Sequence, residues 1–129
     1  MSKIQILVID DDLQFCSLMQ EVLSATGYQV QTALDGRRGF QLASDNPVDL
    51  VVIDLLMPGK DGLETIQHIL KEKPDLKVIA ISGGRRGGAL DFMSAAAKLG
   101  AARTFYKPFD HHDFLDAVQQ LTLGAARPT

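Results

Sequence analysis

Residues 51–62 read VVIDLLMPGKDG, and this stretch decides how the rest of the chain can fold. It begins within an apolar run, Leu50–Ile53, which ends at Asp54, and a Pro-Gly pair at 58–59 interrupts regular structure soon afterwards. A short apolar run without polar alternation is typical of a strand that helices cover on both faces. The stretch therefore predicts a buried strand that ends beside one carboxylate.

Similar segments lie on both sides of this strand. Two of them, ILVI at 6–9 and VIAI at 78–81, are also apolar throughout. Turn-forming or helix-ending residues separate the segments, among them Gly27, Pro74 and Gly100. The predicted strands, in chain order, are Ile4–Ile9, Tyr28–Ala33, Leu50–Ile53, Val78–Ile81 and Arg103–Tyr106.

The stretches between the strands have the periodicity of amphipathic helices. In the first of them the apolar positions fall at i, i+3, i+4, i+7 and i+8, namely at Phe15, Leu18, Met19, Val22 and Leu23. Leu63, Ile66 and Leu70 give a second such face, residues 36–45 are a further predicted helix, and Phe114, Val118 and Leu121 mark the last one.

Strict alternation of strands and helices predicts an α/β protein with a parallel sheet. Right-handed crossovers favour a doubly wound, flavodoxin-like (βα)5 domain with strand order 2-1-3-4-5. The 129 residues fit a single domain, which we expect to span residues 1–123 and to be followed by a tail over 124–129.

Composition excludes several classes of protein. The net charge of −3 offers no basic surface, so we expect neither direct nucleic-acid binding nor attraction to an anionic membrane. Signal-peptide and transmembrane patterns are absent from the sequence, and the single cysteine, Cys16, lies in an apolar stretch where it fits a core position. A cytoplasmic protein is the expectation.

Polar side chains follow four of the predicted strands. They are Asp10, Asp11 and Asp12 after strand 1, Asp54 after strand 3, Ser82 after strand 4 and Lys107 after strand 5. Because ligands bind beyond the carboxyl ends of parallel strands, we expect these groups to meet at one edge of the sheet. Several carboxylates repel one another unless a cation is present, and hard carboxylate oxygens suit Mg²⁺. Asp12 is better explained as a helix cap.

These residues resemble the receiver domain of bacterial two-component response regulators, of the stand-alone, chemotaxis-regulator-like type. The resemblance covers essentially the whole chain. The segments that carry it are Ile6–Asp11 (ILVIDD), Val51–Gly62 (VVIDLLMPGKDG), Val78–Gly83 (VIAISG) and Tyr106–Phe109 (YKPF).

The resemblance implies that Asp54 is the phosphoacceptor. It also implies that Asp11 binds Mg²⁺ directly, that Asp10 does so directly or through water, and that the backbone carbonyl of Leu56 is a further ligand. Ser82 and Lys107 would each contact a phosphoryl oxygen.

Family members receive the phosphoryl group in a phosphorelay from a sensor histidine kinase or a histidine phosphotransfer protein, and many accept small donors. The implied chain is a signalling domain that assists only its own phosphorylation and dephosphorylation. It would act on a downstream protein target as a monomer or weak dimer, either alone or as part of a longer regulator.

Two features depart from the family pattern. Thr104 stands three residues before Lys107, where the family usually has a switching aromatic residue. A glycine-rich loop over Gly83–Gly88 follows strand 4, and we expect this loop and the next helix to move instead.

Two other functions fit parts of the sequence. A haloacid-dehalogenase-like phosphotransferase would use Asp10 as nucleophile and Asp12 two residues later, although it leaves residues 54–62 without a role. The other is a receiver-like interaction module that is not phosphorylated.

Overall fold

The computed structural model describes residues 3–56, 62–83 and 86–123, and for residues 86–92 it describes the backbone alone. Strands and helices alternate along the described chain. They are β1 (Gln5–Ile9), α1 (Leu13–Ala25), β2 (Gln29–Ala33), α2 (Gly36–Asp45), β3 (Leu50–Asp54), α3 (Gly62–Glu72), β4 (Lys77–Ser82), α4 (Arg86–Leu99), β5 (Arg103–Tyr106) and α5 (His111–Thr122).

The five strands form one parallel sheet in the order β2-β1-β3-β4-β5, which confirms the predicted fold class and topology. At their carboxyl ends, two strands extend one residue further than predicted. Asp54 is the last residue of β3, where it pairs with Ile81, and Ser82 is the last residue of β4, where it pairs with Tyr106. The sheet therefore fixes the backbone at both residues.

The sheet separates two apolar layers, and successive residues of each central strand point into alternate layers. Ile9 and Ile53 contribute to the layer that includes Ile66 of α3, whereas Val8 and Val52 contribute to the layer that includes Met19 of α1 and Phe114 of α5. All five residues of β3 are buried. The strand lacks polar residues at alternate positions because both of its faces are covered, as predicted.

Helix α1 is rotated relative to the predicted face. Its buried residues are Cys16, Met19 and Leu23, which confirms the core position of Cys16, whereas Leu18 is 40% exposed. The predicted apolar stripe was too wide for the contact with the sheet. Leu18 lies at its flank, where it lines a groove together with Phe109.

The helix ends agree with the sequence at two glycines. Gly27 and Gly100 follow α1 and α4 with φ of 102° and 119°, a conformation that glycine adopts without steric cost. The loop predicted over Gly83–Gly88 is wrong in extent, because α4 begins at Arg86. Residues 84 and 85 of that loop, like residues 57–61 and the expected tail, lie outside the described residues. Among the described helices, none combines the length and apolar character needed to cross a bilayer.

Candidate functional site

Two buried carboxylates lie at the carboxyl edge of the sheet. Asp10 directly follows β1 and is 1% exposed, and Asp54 ends the neighbouring strand β3 and is 6% exposed. Asp11 is exposed beside them. One carboxylate oxygen from each of these three residues lies within 4.8 Å of the others, so the fold brings the predicted acidic group together.

Among the residues that the structure describes, Lys107 provides the positive charge nearest to this group. Its Nζ lies 2.7 Å from Oδ2 of Asp10 and 3.4 Å from Oδ2 of Asp54. The backbone N–H of Lys107 donates to the carbonyl of Ser82 at 2.8 Å, which extends the pairing of β5 with β4 by one residue. This register places the lysine stem so that its ammonium reaches across β4 to the acidic residues, as the sequence predicted.

The backbone fixes the other oxygen of each buried carboxylate. Oδ1 of Asp54 accepts a hydrogen bond from the N–H of Leu56 at 2.8 Å, and Oδ1 of Asp10 accepts one from the N–H of Asp12 at 2.9 Å. Each carboxylate therefore presents its Oδ2 to Lys107 in a defined orientation.

Burial and crowding shift the pKa values of this group. Burial is the main cause that raises the pKa of Asp10 to about 6, and the nearby charge of Asp54 adds to it, while the bonds from Lys107 and Asp12 oppose the shift. Burial acts to lower the pKa of Lys107, but the bond to Asp10 and the charges of Asp10 and Asp54 together leave that pKa above its usual value. The ammonium stays charged and compensates the carboxylates only in part.

The remaining predicted residues take different places. Asp12 caps α1, because its Oδ1 accepts hydrogen bonds from the N–H groups of Gln14 and Phe15, as predicted. Ser82 is fully buried at the end of β4. Leu56 has its backbone at the site through the bond to Asp54, and the ligand role of its carbonyl stays a prediction.

Sequence reasoning missed one residue of the site. The ring centroid of Phe15 lies 4.0 Å from Nζ of Lys107, close enough for attraction between a cation and an aromatic face. The apolar periodicity of α1 marked Phe15 only as a core residue. Its position four residues after Asp11, at the start of a helix that leaves the acidic edge, is the signal that was available.

Comparison with known proteins identifies the family. Residues 6–119 match the response regulator receiver domain. The chain belongs to this family. It is a receiver domain of the two-component response regulators, and the receiver fold is that of a signalling domain.

Relatives of this receiver domain differ in length. It is 32% identical over 116 residues to sporulation initiation phosphotransferase F of Bacillus subtilis (strain 168), which covers 90% of this chain and 91% of that protein. It is also 32% identical over 136 aligned residues to transcriptional regulatory protein CpxR of Klebsiella pneumoniae subsp. pneumoniae (strain HS11286), which covers 97% of this chain but 56% of that protein. The chain thus spans most of one curated relative and about half of the other.

A solved structure of the family is similar to this chain over nearly its whole length. The receiver domain superposes with a TM-score of 0.80 on response regulator protein TrrA of Thermotoga maritima in complex with Mg(2+)-BeF, at 31% identity. The match covers 92% of this chain and 98% of that one.

The charge balance at the site gives a prediction for stability without metal. Lys107→Met keeps an apolar stem but leaves Asp10 and Asp54 buried without their cation, and we expect it to lower the free energy of unfolding by about 2–4 kcal/mol. Asp10→Asn should recover part of this loss in the Lys107→Met background, because it removes one of the uncompensated charges. Urea unfolding of the two single variants and the double variant measures the coupling.

The exposed Lys71 of α3 supplies a matched control. Lys71→Met should change the free energy of unfolding by no more than about 0.5 kcal/mol. Additive effects of Lys107→Met and Asp10→Asn would mean that the ion pair does not contribute in solution.

Proposed function

We propose that Asp54 is the phosphoacceptor of this receiver domain and that Mg²⁺ bound by Asp10, Asp11 and Asp54 assists the transfer. The observation that supports this most is the environment of Asp54. Its carboxylate is buried, one oxygen is held by the N–H of Leu56, the other faces Lys107, and two further carboxylates lie within 4.8 Å.

The donor set fits Mg²⁺. Three carboxylates offer hard oxygen ligands, and one ammonium leaves the group with a net negative charge. The carbonyl of Leu56 is the further ligand that we propose. When bound, Mg²⁺ supplies positive charge to the phosphoryl oxygens and to the attacking carboxylate. The complex of the relative TrrA with Mg(2+)-BeF supports the same assignment here.

The transfer itself is a displacement at phosphorus. One carboxylate oxygen of Asp54 forms a bond to phosphorus while the bond between phosphorus and the donor nitrogen or oxygen breaks, and the electron pair of that bond stays with the donor. Such a transfer depends mainly on positioning and on neutralising charge at the equatorial oxygens. Lys107 and the hydroxyl of Ser82 contact two of those oxygens in this proposal.

A surface groove suits the protein that brings the phosphoryl group. It has a volume of about 410 Å³, opens beside Lys107 and is lined mainly by apolar side chains, among them Phe15, Leu18, Pro108 and Phe109. A phosphohistidine has to come within bonding distance of Asp54, so its protein must cover the surface next to Lys107. We assign the groove to the helices of a histidine kinase or histidine phosphotransfer protein.

Phosphorylation is expected at Asp54 alone. Incubation with acetyl phosphate and Mg²⁺, trapping of the acyl phosphate with borohydride and mass spectrometry should place the label on this residue, and Asp54→Asn should abolish it. Asp12→Asn should keep the label, because asparagine also caps a helix. Label on Asp10 that disappears in Asp12→Asn would instead support the phosphotransferase alternative, and no label at all would support the interaction module.

Mg²⁺ is expected to stabilise the fold. A ligand that binds only the folded state adds about 1.4 kcal/mol to the free energy of unfolding at ten times its Kd. Thermal unfolding should therefore show a Tm that rises with Mg²⁺, and the rise should shrink in Asp11→Asn but not in the capping variant Asp12→Asn. An equal rise in both variants would place the ion elsewhere.

The groove gives a prediction for protein donors. Leu18→Ala removes an exposed apolar side chain from its wall, and we expect the rate of transfer from a phosphorylated histidine phosphotransfer protein to fall severalfold, roughly as for an interface contact worth about 1 kcal/mol. Rapid-quench measurement of that rate tests the assignment. Leu123→Ala is the control, because it makes the same change at an exposed leucine that follows α5 and lies outside the groove lining. Equal rates for the two variants would exclude the groove as the docking surface.

A further inference from the structure

The ammonium of Lys107 has a third contact besides the two carboxylates. Its Nζ lies 4.0 Å from the ring centroid of Phe15. Phe15 is half-buried in the first turn of α1, and its N–H donates to the capping oxygen of Asp12 at 3.3 Å. The ring thus belongs to the first turn of α1, which follows directly after the acidic residues at the edge of the sheet.

Other aromatic side chains hold this ring in place. Phe15 packs edge-on against Phe109, with 6.2 Å between ring centroids, and Phe109 lies 5.1 Å from Phe114. Phe114 is fully buried in the core between the sheet and helices α1 and α5. The surface under the ammonium is therefore connected to the core and does not depend on a single exposed side chain.

The ring has a property that the carboxylates lack. The stem of Lys107 is flexible, and its side chain is 21% exposed, so it is not enclosed by the protein on every side. A divalent cation bound to Asp10, Asp11 and Asp54 competes with the ammonium for these carboxylates. The cation also repels the ammonium, because both are positively charged. The face of Phe15 is neutral and no ligand for Mg²⁺, so its attraction for the ammonium persists.

We propose that Phe15 is a positioning residue that keeps the Lys107 ammonium beside Asp54 while the metal is bound. This inference rests on the proposed function of Asp54. Phe15 makes no contact with the phosphoryl group in this proposal and acts through Lys107 alone.

Three variants of the full chain test the proposal. Phe15→Leu keeps an apolar side chain without a ring, Phe15→Tyr restores an aromatic face, and Phe40→Leu makes the same change at a ring of α2 that packs on His68, outside the site. Two quantities are measured at saturating Mg²⁺ and at a temperature where every variant is folded. They are the ¹H and ¹³C shifts of the Lys107 ε-methylene and the rate of Asp54 phosphorylation by acetyl phosphate.

In wild type the ε-methylene protons should resonate upfield, because this methylene is bonded to Nζ, which lies 4.0 Å from the centroid of the Phe15 ring. Phe15→Leu should remove this upfield shift and slow phosphorylation roughly two- to fivefold. Phe15→Tyr should restore both, and Phe40→Leu should alter neither.

Unchanged Lys107 resonances in Phe15→Leu, an unchanged rate, or a failure of Phe15→Tyr to restore them would each overturn the role of Phe15. The proposed function fails separately, if wild-type protein takes no label at Asp54. In that case the ε-methylene shifts still report the contact between Phe15 and Lys107. The positioning role is then wrong as well, because it depends on phosphorylation of Asp54.

Discussion

The burial of two carboxylates beside the ammonium of Lys107 is the interaction on which the site depends. Asp10 and Asp54 are almost inaccessible to water, and Lys107 reaches both of them from the opposite side of β4. Burial of like charges is costly, and among the described residues Lys107 is the cation that pairs with both carboxylates. The net negative charge at this edge of the sheet therefore favours the binding of an additional positive charge. A divalent cation bound to the carboxylates would supply that charge.

The two buried carboxylates stay close together only if the surrounding backbone does not move to separate them. The carboxylates are attached to the neighbouring interior strands β1 and β3, and backbone N–H groups hold their second oxygens. Helix α3 approaches the end of β3 so closely that a side chain at Gly62 would meet the Cα of Leu55 at 2.6 Å. The first turn of α3 thus packs directly on the backbone beside Asp54, which restricts the ways in which the buried carboxylate can withdraw from its neighbours.

Sequence predicted the parts of this structure that follow from chain periodicity. Apolar strands covered on both faces, alternating with helices, permit few topologies, and the carboxyl ends of parallel strands bring Asp10, Asp54, Ser82 and Lys107 to one edge. Periodicity says less about how far a helix is rotated against the sheet. Leu18 fits the apolar stripe of α1 as well as Met19 does, yet only Met19 is buried. The start of α4 was missed because glycines at 87 and 88 suggested a loop, although glycine disfavours a helix by only about 1 kcal/mol.

The contact between Phe15 and Lys107 escaped prediction for another reason. It joins residues that are 92 positions apart, 107 − 15, and no periodicity records such a pair. It also bears on the departure at Thr104, which is exposed on β5 and offers no ring. The neighbouring Phe105 is half-buried and lies 5.5 Å from Phe109, whose ring contacts Phe15. Aromatic contacts therefore do connect the acidic site with β5, but they run through the layer between the sheet and helices α1 and α5. These contacts run from the Lys107 ammonium through Phe15 and Phe109 to Phe105 of β5 and include no residue at position 104.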